Sequence, residues 1–595
     1  MSGALFLNVE HSLTGRAWRA RLDLAGEGLA QRLAEIGGHG DLLSRVLAGR
    51  GVALEDAARY LDPTIRDLMP EPFNLRDMET ATTRLANAVE QAEHIAIFGD
   101  YDVDGACSAA LLASYLEACG CKTLIHIPDR VGEGYGPNVE AVERFAAQGA
   151  KILVTVDCGA VSFEPFARAR ALGLDVLVFD HHQAPEILPD ALAVVDPNRQ
   201  DDLSALNYLC AAGVVYIGLV ALNRLLRERG FWRERAAPDL LAMLDLVALA
   251  SVADVVPLIG LNRAFVVKGL QVMRQRKRPG LAALYDAAGA DGPPRPYHLG
   301  FILGPRINAG GRIGDSGLGV KLLMTQDPHE ASALAGELHR LNSARQAIEA
   351  TMLDEAAAEA QLALGQEERG AAVIVAGQGW NPGIVGLIAA RLKERYQRPA
   401  FALALSGKLA TGSGRSIAGV DLGRAVRAAL EAGLLLKGGG HAMAAGLTIE
   451  TARLGDFRAF IEAHLAAPVA KMRAQDALAI DSAVSAAGAT PELVASLERA
   501  GPFGSGNPEP VFAAPGHRLA DVRLVGADHL RLRLVAGDGA ALEAMAFRSA
   551  QTPLGQALQS LRGARLHVAG SLSINRYGGR EKVQLRVIDA AHADA

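Results

Sequence analysis

The chain has 595 residues, half of them hydrophobic and 21% charged, with a formal net charge of −6. That profile excludes a disordered or collagen-like polymer, and the length implies roughly three to five domains rather than a single core. The negative balance also excludes global attraction to a polyanion, so a nucleic-acid partner would need local basic patches or bound cations.

The five cysteines, Cys107, Cys119, Cys121, Cys158 and Cys210, form no CxxC pair. They read as reduced core thiols of a cytoplasmic protein. The start of the chain has no basic region before its brief apolar run, so no signal peptide is expected. No uncharged run approaches the roughly 18–20 residues that span a bilayer, so no membrane association is expected.

Residues 1–75 mix polar segments with short helical patterns and read as a lead-in without chemistry. From residue 76 to 270 helices alternate with short apolar strands: HIAIFG, TLIHIP, KILVTV, DVLVF and AVV. Near-continuous apolar runs separated by helices imply a parallel sheet covered on both faces, with ligands beyond the strand carboxyl ends. Residues 271–345 open on the basic run Arg274, Arg276, Lys277 and Arg278, read as a solvated helix end. They continue to Gly304-Pro-Arg-Ile-Asn-Ala-Gly-Gly-Arg312 and into a long connecting helix. In that segment Arg306 and Arg312 interleave with glycines that would let backbone amides approach a phosphate. Residues 346–467 form a second, smaller α/β domain carrying Thr411-Gly-Ser-Gly-Arg-Ser416 and Gly438-Gly-Gly-His441. Three consecutive glycines usually mark a plain loop. Beside His441 and Arg415-Ser416 they suggest a backbone cradle for a phosphate or nucleotide. Residues 468–595 change to short alternating strands, the pattern of a small closed barrel. Arg531, Arg533, Arg565, Arg576, Tyr577, Arg580 and Lys582 would give it a basic face, with an ordinary barrel surface as the competing reading. The expected fold class is therefore α/β, with a parallel-sheet domain, a connecting helix, a second α/β domain and an oligonucleotide-binding (OB)-like β-barrel.

The chemistry concentrates at strand ends. Asp100, Asp102 and Asp104 follow HIAIFG, Asp157 follows KILVTV, and Asp180-His181-His182 follows DVLVF. Asp254 ends an apolar helix, where the macrodipole disfavours a carboxylate. An acidic surface turn or an N-cap would explain the first cluster alone, and a loop Asp before proline would explain Asp254. Together, carboxylates with one or two imidazoles and no thiolate suit Mg²⁺ or Mn²⁺. More carboxylates than one ion needs suggest two ions sharing an aspartate, an arrangement suited to phosphoryl displacement.

Asp100-Tyr-Asp-Val-Asp-Gly105, Val156-Asp-Cys-Gly159, Asp180-His-His182 and Gly439-Gly-His-Ala-Met-Ala-Ala-Gly446 resemble the ordered motifs of the DHH phosphoesterase superfamily. With the Gly304–Arg312 segment and the terminal barrel, the match is closest to that superfamily's bacterial branch of single-strand-specific 5′→3′ DNA exonucleases. The resemblance covers about residues 75–595. It implies that Asp102, Asp104, Asp157, His181 and Asp254 ligate Mn²⁺ or Mg²⁺. It further implies that Asp100 supports them and that His182 meets the scissile phosphate. Tyr135, Arg306, Asn308, Arg312, Arg415, Ser416, Gly439 and His441 become expected contacts to the strand or its terminal phosphate. Many relatives outside this branch place a histidine ligand where Phe98 stands, so the second metal site should be weaker or differently filled here.

The expected function is release of 5′-mononucleotides from single-stranded DNA by two-metal hydrolysis, in repair and recombination. The alternative is a phosphodiesterase for short oligonucleotides or cyclic dinucleotides. A non-enzymatic DNA-binding relative would have no reason to keep so repulsive a carboxylate cluster. The expected partners are single-stranded DNA, a single-strand-binding protein and a helicase, with the chain acting as a monomer.

Overall fold

Five short apolar strands pair as a parallel sheet in the order Lys122–His126, His94–Gly99, Ile152–Val156, Asp175–Phe179, Ala193–Val195. Every residue of Ile152–Val156 is buried, as expected for a central strand covered on both faces. Chain order reverses between His94–Gly99 and its neighbour Ile152–Val156. A crevice opens beyond the carboxyl ends of strands at such a switch point, and Asp100 and Asp157 are the residues that follow these two strands. The computed structural model describes residues 3–130, 132–365, 369–577 and 580–593.

This sheet belongs to a unit spanning Ile65–Ala474. The helices Val103–Ala118 and Ala211–Glu228 pack on the sheet, Leu244–Ala253 packs against both helices, and all three share one apolar core. Phe98 is fully buried and packs on the His126 ring at 5.4 Å. The connecting helix Pro328–Leu364 runs 37 residues, roughly 55 Å at 1.5 Å per residue. Beyond it lies a mixed sheet in the order Lys437–Gly440, Ala444–Glu450, Leu409–Arg415, Ala400–Ser406, Val373–Gln378. Only the Val373–Gln378 and Ala400–Ser406 pair is parallel.

Three glycine-rich segments lie in regular structure, including the Gly438-Gly-Gly440 run expected to form a cradle. Gly304–Ile313 is a helix, entered through a π-helical turn at His298–Leu303. A Cβ on Gly311 would lie 2.7 Å from the Tyr101 carbonyl oxygen, so this glycine seats the helix against the aspartate turn. Thr411-Gly-Ser-Gly-Arg415 lies within the strand Leu409–Arg415, where Gly412 and Gly414 make room for Leu403 and Phe401. Gly438-Gly-Gly440 is also strand, with Gly439 paired to Gly446. In all three segments tertiary packing overrides the local preference of glycine for turns. The basic run is not simply solvated either. Arg278 forks onto Asp245 at 2.8 and 3.1 Å, and Arg276 reaches Asp286 at 2.6 Å.

The second unit combines Met1–Thr64 with Gln475–Ala595. The segment expected as a lead-in, residues 1–75, therefore divides, and its larger part packs with the barrel region. Ala17–Ala20 pairs in parallel with Ala477–Ile480. The buried Asp481 accepts from Arg21 at 2.8 Å, Arg50 at 3.3 Å and the Val511 amide at 2.9 Å. Trp18 donates its indole N–H to Asp589 at 3.0 Å. Five strands, Phe512–Val525, His529–Val535, Ala541–Ala546, Arg565–Tyr577 and Arg580–His592, close into a barrel when the first pairs with Arg565–Tyr577. Leu530, Leu532 and Leu534 face its core while Arg531 and Arg533 face out. Arg531 bonds Glu543 at 2.9 Å, which neutralises part of the expected basic face. The side chains of Arg576, Tyr577 and Arg580 lie outside the described residues. Among the described residues no helix is long and apolar enough to cross a membrane.

Candidate metal centre

The turn after His94–Gly99 delivers three carboxylates. Asp102 is the N-cap of Val103–Ala118, its Oδ1 accepting from the Asp104 and Gly105 amides at 2.9 and 3.3 Å. Capping uses one oxygen and leaves the other, so a cap and a metal ligand are compatible roles. A Cβ at Gly105 would lie 2.3 Å from the Asp100 carbonyl oxygen, so the turn needs glycine there. Asp104 accepts from the Ala211 and Ala212 amides at 2.7 and 2.9 Å, at the N-terminus of Ala211–Glu228. The helix dipole favours negative charge at that end.

The other ligand candidates arrive on strained or braced backbone. Asp157 has φ +62°, and Val255, directly after Asp254 at the end of Leu244–Ala253, has φ +61°. A β-branched residue in that region costs on the order of 1–3 kcal/mol and persists only where its surroundings fix the backbone. His181 faces the Leu209 carbonyl oxygen through Nδ1 at 3.1 Å. A carbonyl only accepts, so the proton resides on Nδ1 and the Nε2 lone pair points elsewhere. Nε2 lies 3.2 Å from Asp157, 3.6 Å from Asp254 and 3.8 Å from Asp104.

Three groups hold their ligating atoms within 4.8 Å of one another: Asp104, His181 and Asp254; Asp157, His181 and His182; Asp100, Asp102 and Asp157. Asp157 and His181 each belong to two groups, the sharing expected of paired cations. The residues also fit a cation by what they lack. Asp100 Oδ1, Asp157 Oδ1 and His181 Nε2 are buried with no hydrogen-bond partner. Buried polar atoms are rarely left so, and three converging acceptors call for a positive charge among them. Oxygen ligands with imidazole suit Mn²⁺ or Mg²⁺.

Burial, then the charges of neighbouring aspartates, raises Asp157 and Asp254 well above the usual carboxylate range. Asp100 is raised by burial and by Asp102. Asp104 is raised by burial, which outweighs its own hydrogen bonds. A cation would reverse these shifts. Beside them stands an ion pair of opposite character. Asp180 Oδ1 accepts from His182 Nδ1 at 2.8 Å and from the His181 amide at 2.8 Å. Burial works against both charges, yet their pairing prevails, holding Asp180 down at about 2 and His182 up at about 9. Asp180 therefore belongs among the functional residues together with the two histidines of its motif.

Residues 94–251 match the DHH family, N-terminal domain, residues 370–467 the DHHA1 domain, and residues 480–589 the RecJ OB domain. The chain is 37% identical over 565 residues to the single-stranded-DNA-specific exonuclease RecJ of Salmonella typhimurium, covering 92% of this chain and 95% of that one. This chain belongs to the RecJ family. It is 33% identical over 554 residues to RecJ of Bacillus subtilis, covering 92% of this chain and 68% of that one. RecJ from Thermus thermophilus in complex with Mn²⁺ is similar in structure, with TM-score 0.77 and 30% identity over 96% of this chain and 78% of that chain. The same protein in complex with Mg²⁺ gives a TM-score of 0.73.

The remaining residues expected to contact a RecJ-type substrate divide into two groups. His441 approaches the centre from the second sheet, its ring stacked 6.2 Å from that of His182. Burial and the charges of His182 and His181 hold its imidazolium below the ordinary value. Tyr135 is 44% exposed, and its hydroxyl contacts His182 Nδ1 at 3.1 Å. Arg312 donates to the Gly383 carbonyl at 2.6 Å. Burial, together with Arg130, Arg345 and Arg415, pulls it down to about 9. Burial and Arg130 also lower Arg415. Arg130, whose guanidinium lies 4.5 Å over the Tyr101 ring, completes a cationic cluster with Arg312 and Arg415. No spacing in the sequence marks Arg130.

Asn308, Arg306 and Ser416 are tied by internal hydrogen bonds. The side-chain Oδ1 of Asn308 accepts from the Val103 amide at 3.1 Å. Arg306 donates to the Ile302 carbonyl at 2.7 Å and contacts His339. The buried Ser416 donates to the Val420 carbonyl at 2.6 Å. Gly439 has open space where a Cβ would stand.

Proposed function

We propose that the chain is a metal-dependent, single-stranded-DNA-specific exonuclease that hydrolyses phosphodiester bonds and releases 5′-mononucleotides. The observation that carries this reading is the convergence of Asp100, Asp157 and His181 atoms, buried and unpartnered, within groups that share ligands. Asp102, Asp104, Asp157, His181 and Asp254 would hold Mn²⁺ or Mg²⁺, with Asp100 in reserve beside them. Bound there, the cations would offset charge developing on the phosphoryl group and make water a better nucleophile.

The protein's own groups do the rest. His182 carries its proton at neutral pH because Asp180 holds it, and with Nδ1 committed to Asp180 its Nε2–H is free to donate to a phosphate oxygen. Arg130, Arg312 and Arg415 offer a cationic cluster for a further phosphate, with Asp100 and Asp102 among the charges that act on it. Tyr135 presents an exposed ring on which a base can stack. The barrel is assigned to holding the longer strand, and the direction, 5′→3′, is that implied by the family resemblance. A role in repair and recombination, a monomeric state in the cytoplasm, and partnership with a single-strand-binding protein and a helicase complete the proposal.

End-labelled single- and double-stranded DNA, incubated with and without Mn²⁺, tests it. Mononucleotides from one end of single strands alone are expected, with Asp157→Asn reduced by about a thousandfold or more, the scale of losing a metal-clamped phosphoryl transfer. Undiminished activity in that variant would remove the proposed chemistry.

A further inference from the structure

The loop that carries His181 is braced from outside the metal centre. Ala193–Val195, the edge strand, pairs in parallel with Asp175–Phe179, and the Asp180 amide donates to the Val195 carbonyl at 3.1 Å. The edge strand then turns at Asp196-Pro-Asn-Arg199. The buried Asp196 accepts from the Asn198 amide at 2.8 Å, and the Arg199 amide donates back to the Asp196 carbonyl at 3.2 Å. This Asx-turn is anchored behind by Arg199, which donates to the Val194 carbonyl, to Asp77 at 2.6 Å and to Asp201 at 2.8 and 2.9 Å. From this fixed turn the Asn198 side-chain amide donates to the main-chain carbonyl of His181 at 2.6 Å.

His181 is thus held at three points, none of them in the metal centre. Asp180 takes its amide, the Leu209 carbonyl takes its Nδ1–H, and Asn198 takes its carbonyl. With backbone and ring both fixed, Nε2 faces Asp157, Asp254 and Asp104. The identity of residue 198 follows from hydrogen-bond chemistry. A carbonyl can only accept, so Asn198 must present its NH₂, and its remaining oxygen accepts from Gln183 Nε2 at 3.2 Å.

We infer that Asn198 is a positioning residue, which sets the His181 imidazole for cation binding through the main chain of its loop. The inference rests on the metal-centre reading above and adds a residue that no motif contained. Outer partners of this kind commonly contribute about 10- to 100-fold in metal affinity or activity.

The test uses the full chain, with Asn198→Ala and Asn198→Leu, the second keeping the volume while removing the donor. Mn²⁺ binding is followed by titration calorimetry, and kcat and KM on a single strand are measured alongside thermal unfolding in chelator. We expect Mn²⁺ affinity to fall about tenfold or more and kcat to fall with it, while KM stays within about twofold. The melting temperature in chelator should change little in the Leu variant. Unchanged Mn²⁺ affinity and kcat in both variants would overturn the inference. So would loss confined to the Ala variant, which would assign packing alone. If the wild type bound no Mn²⁺, or Asp157→Asn kept full activity, the metal-centre reading itself would fail, an outcome distinct from either.

Discussion

At the scale of single residues, the centre opposes folding when no cation is present, and that has a measurable sign. Asp157 ionises well above the usual carboxylate range, so its negative charge works against the native state as pH rises through its folded value. Asp157→Asn removes this charge while keeping a residue tolerant of φ +62°. In chelator at pH 8 the variant should be more stable than wild type, on the order of 1–2 kcal/mol by urea denaturation. The gain should vanish toward pH 4, and Mn²⁺ should no longer stabilise the variant as it does wild type. The Asp180–His182 pair behaves in the opposite way. His182 is raised from 6.5 to about 9, so its contribution is full below 6.5 and lost as pH rises through about 9. Asp180 is lowered from 3.8 to about 2, so its contribution is full above 3.8 and lost as pH falls through about 2. His182→Gln in chelator should therefore cost most between about pH 4 and 6.5, on the order of 1–2 kcal/mol after allowance for solvent screening, and nothing above pH 9. An offset independent of pH would exclude the pairing. The carboxylates were legible in the sequence because each follows an apolar strand or helix, where charge has no structural purpose. Asp180 shared that position, but its pairing with His182 shows only in the folded turn, and Arg130 and Asn198 were not legible at all, since their roles depend on distances that adjacency along the chain does not encode.

At the scale of elements, glycine separates two kinds of packing that look alike in the sequence. Gly311 and Gly439 both sit in glycine-rich runs, and both lie in regular structure. A Cβ on Gly311 meets the rigid Tyr101 carbonyl at 2.7 Å, while one on Gly439 meets nothing within 4 Å. Gly311→Ala gains helix propensity but must push its helix off the aspartate turn, for a net loss of about 1–3 kcal/mol. Mn²⁺ affinity should fall with it, because Asp100 and Asp102 flank Tyr101. Gly439→Ala should leave stability unchanged and raise KM if the strand passes close to that backbone. Thermal unfolding and steady-state kinetics on the two variants check this together. A loss of stability at Gly439 equal to that at Gly311 would contradict the packing described. The helices and strands of the first sheet were readable from periodicity because short, near-continuous apolar runs alternate there with helices. The glycine-rich helix and the strand holding Gly412 and Gly414 were hidden because a neighbour's close approach, rather than local preference, selects the small residue there.

At the scale of the whole molecule, the division of the chain could not be read from its order. Ala17–Ala20 pairs with Ala477–Ile480, and Arg21 and Arg50 meet Asp481 across more than four hundred residues. No local pattern announces a partner that distant. The consequence is thermodynamic. All the candidate ligands lie within Ile65–Ala474, while the first 64 residues and the barrel form the other unit. A ligand that binds only the folded form of one unit stabilises that unit by RT ln(1 + [L]/Kd), about 2.7 kcal/mol at a hundredfold excess over Kd. Calorimetric unfolding should resolve two transitions, of which Mn²⁺ moves one and leaves the other in place. Asp481→Ala strips Arg21, Arg50 and the Val511 amide of their shared buried acceptor, at a cost of about 3–5 kcal/mol to the unit that lacks the metal centre. It should therefore lower the transition that Mn²⁺ does not move, and leave Mn²⁺ affinity as it was. If Mn²⁺ and Asp481→Ala displaced the same transition, the two units would unfold as one and the partition of the chain would have to be redrawn.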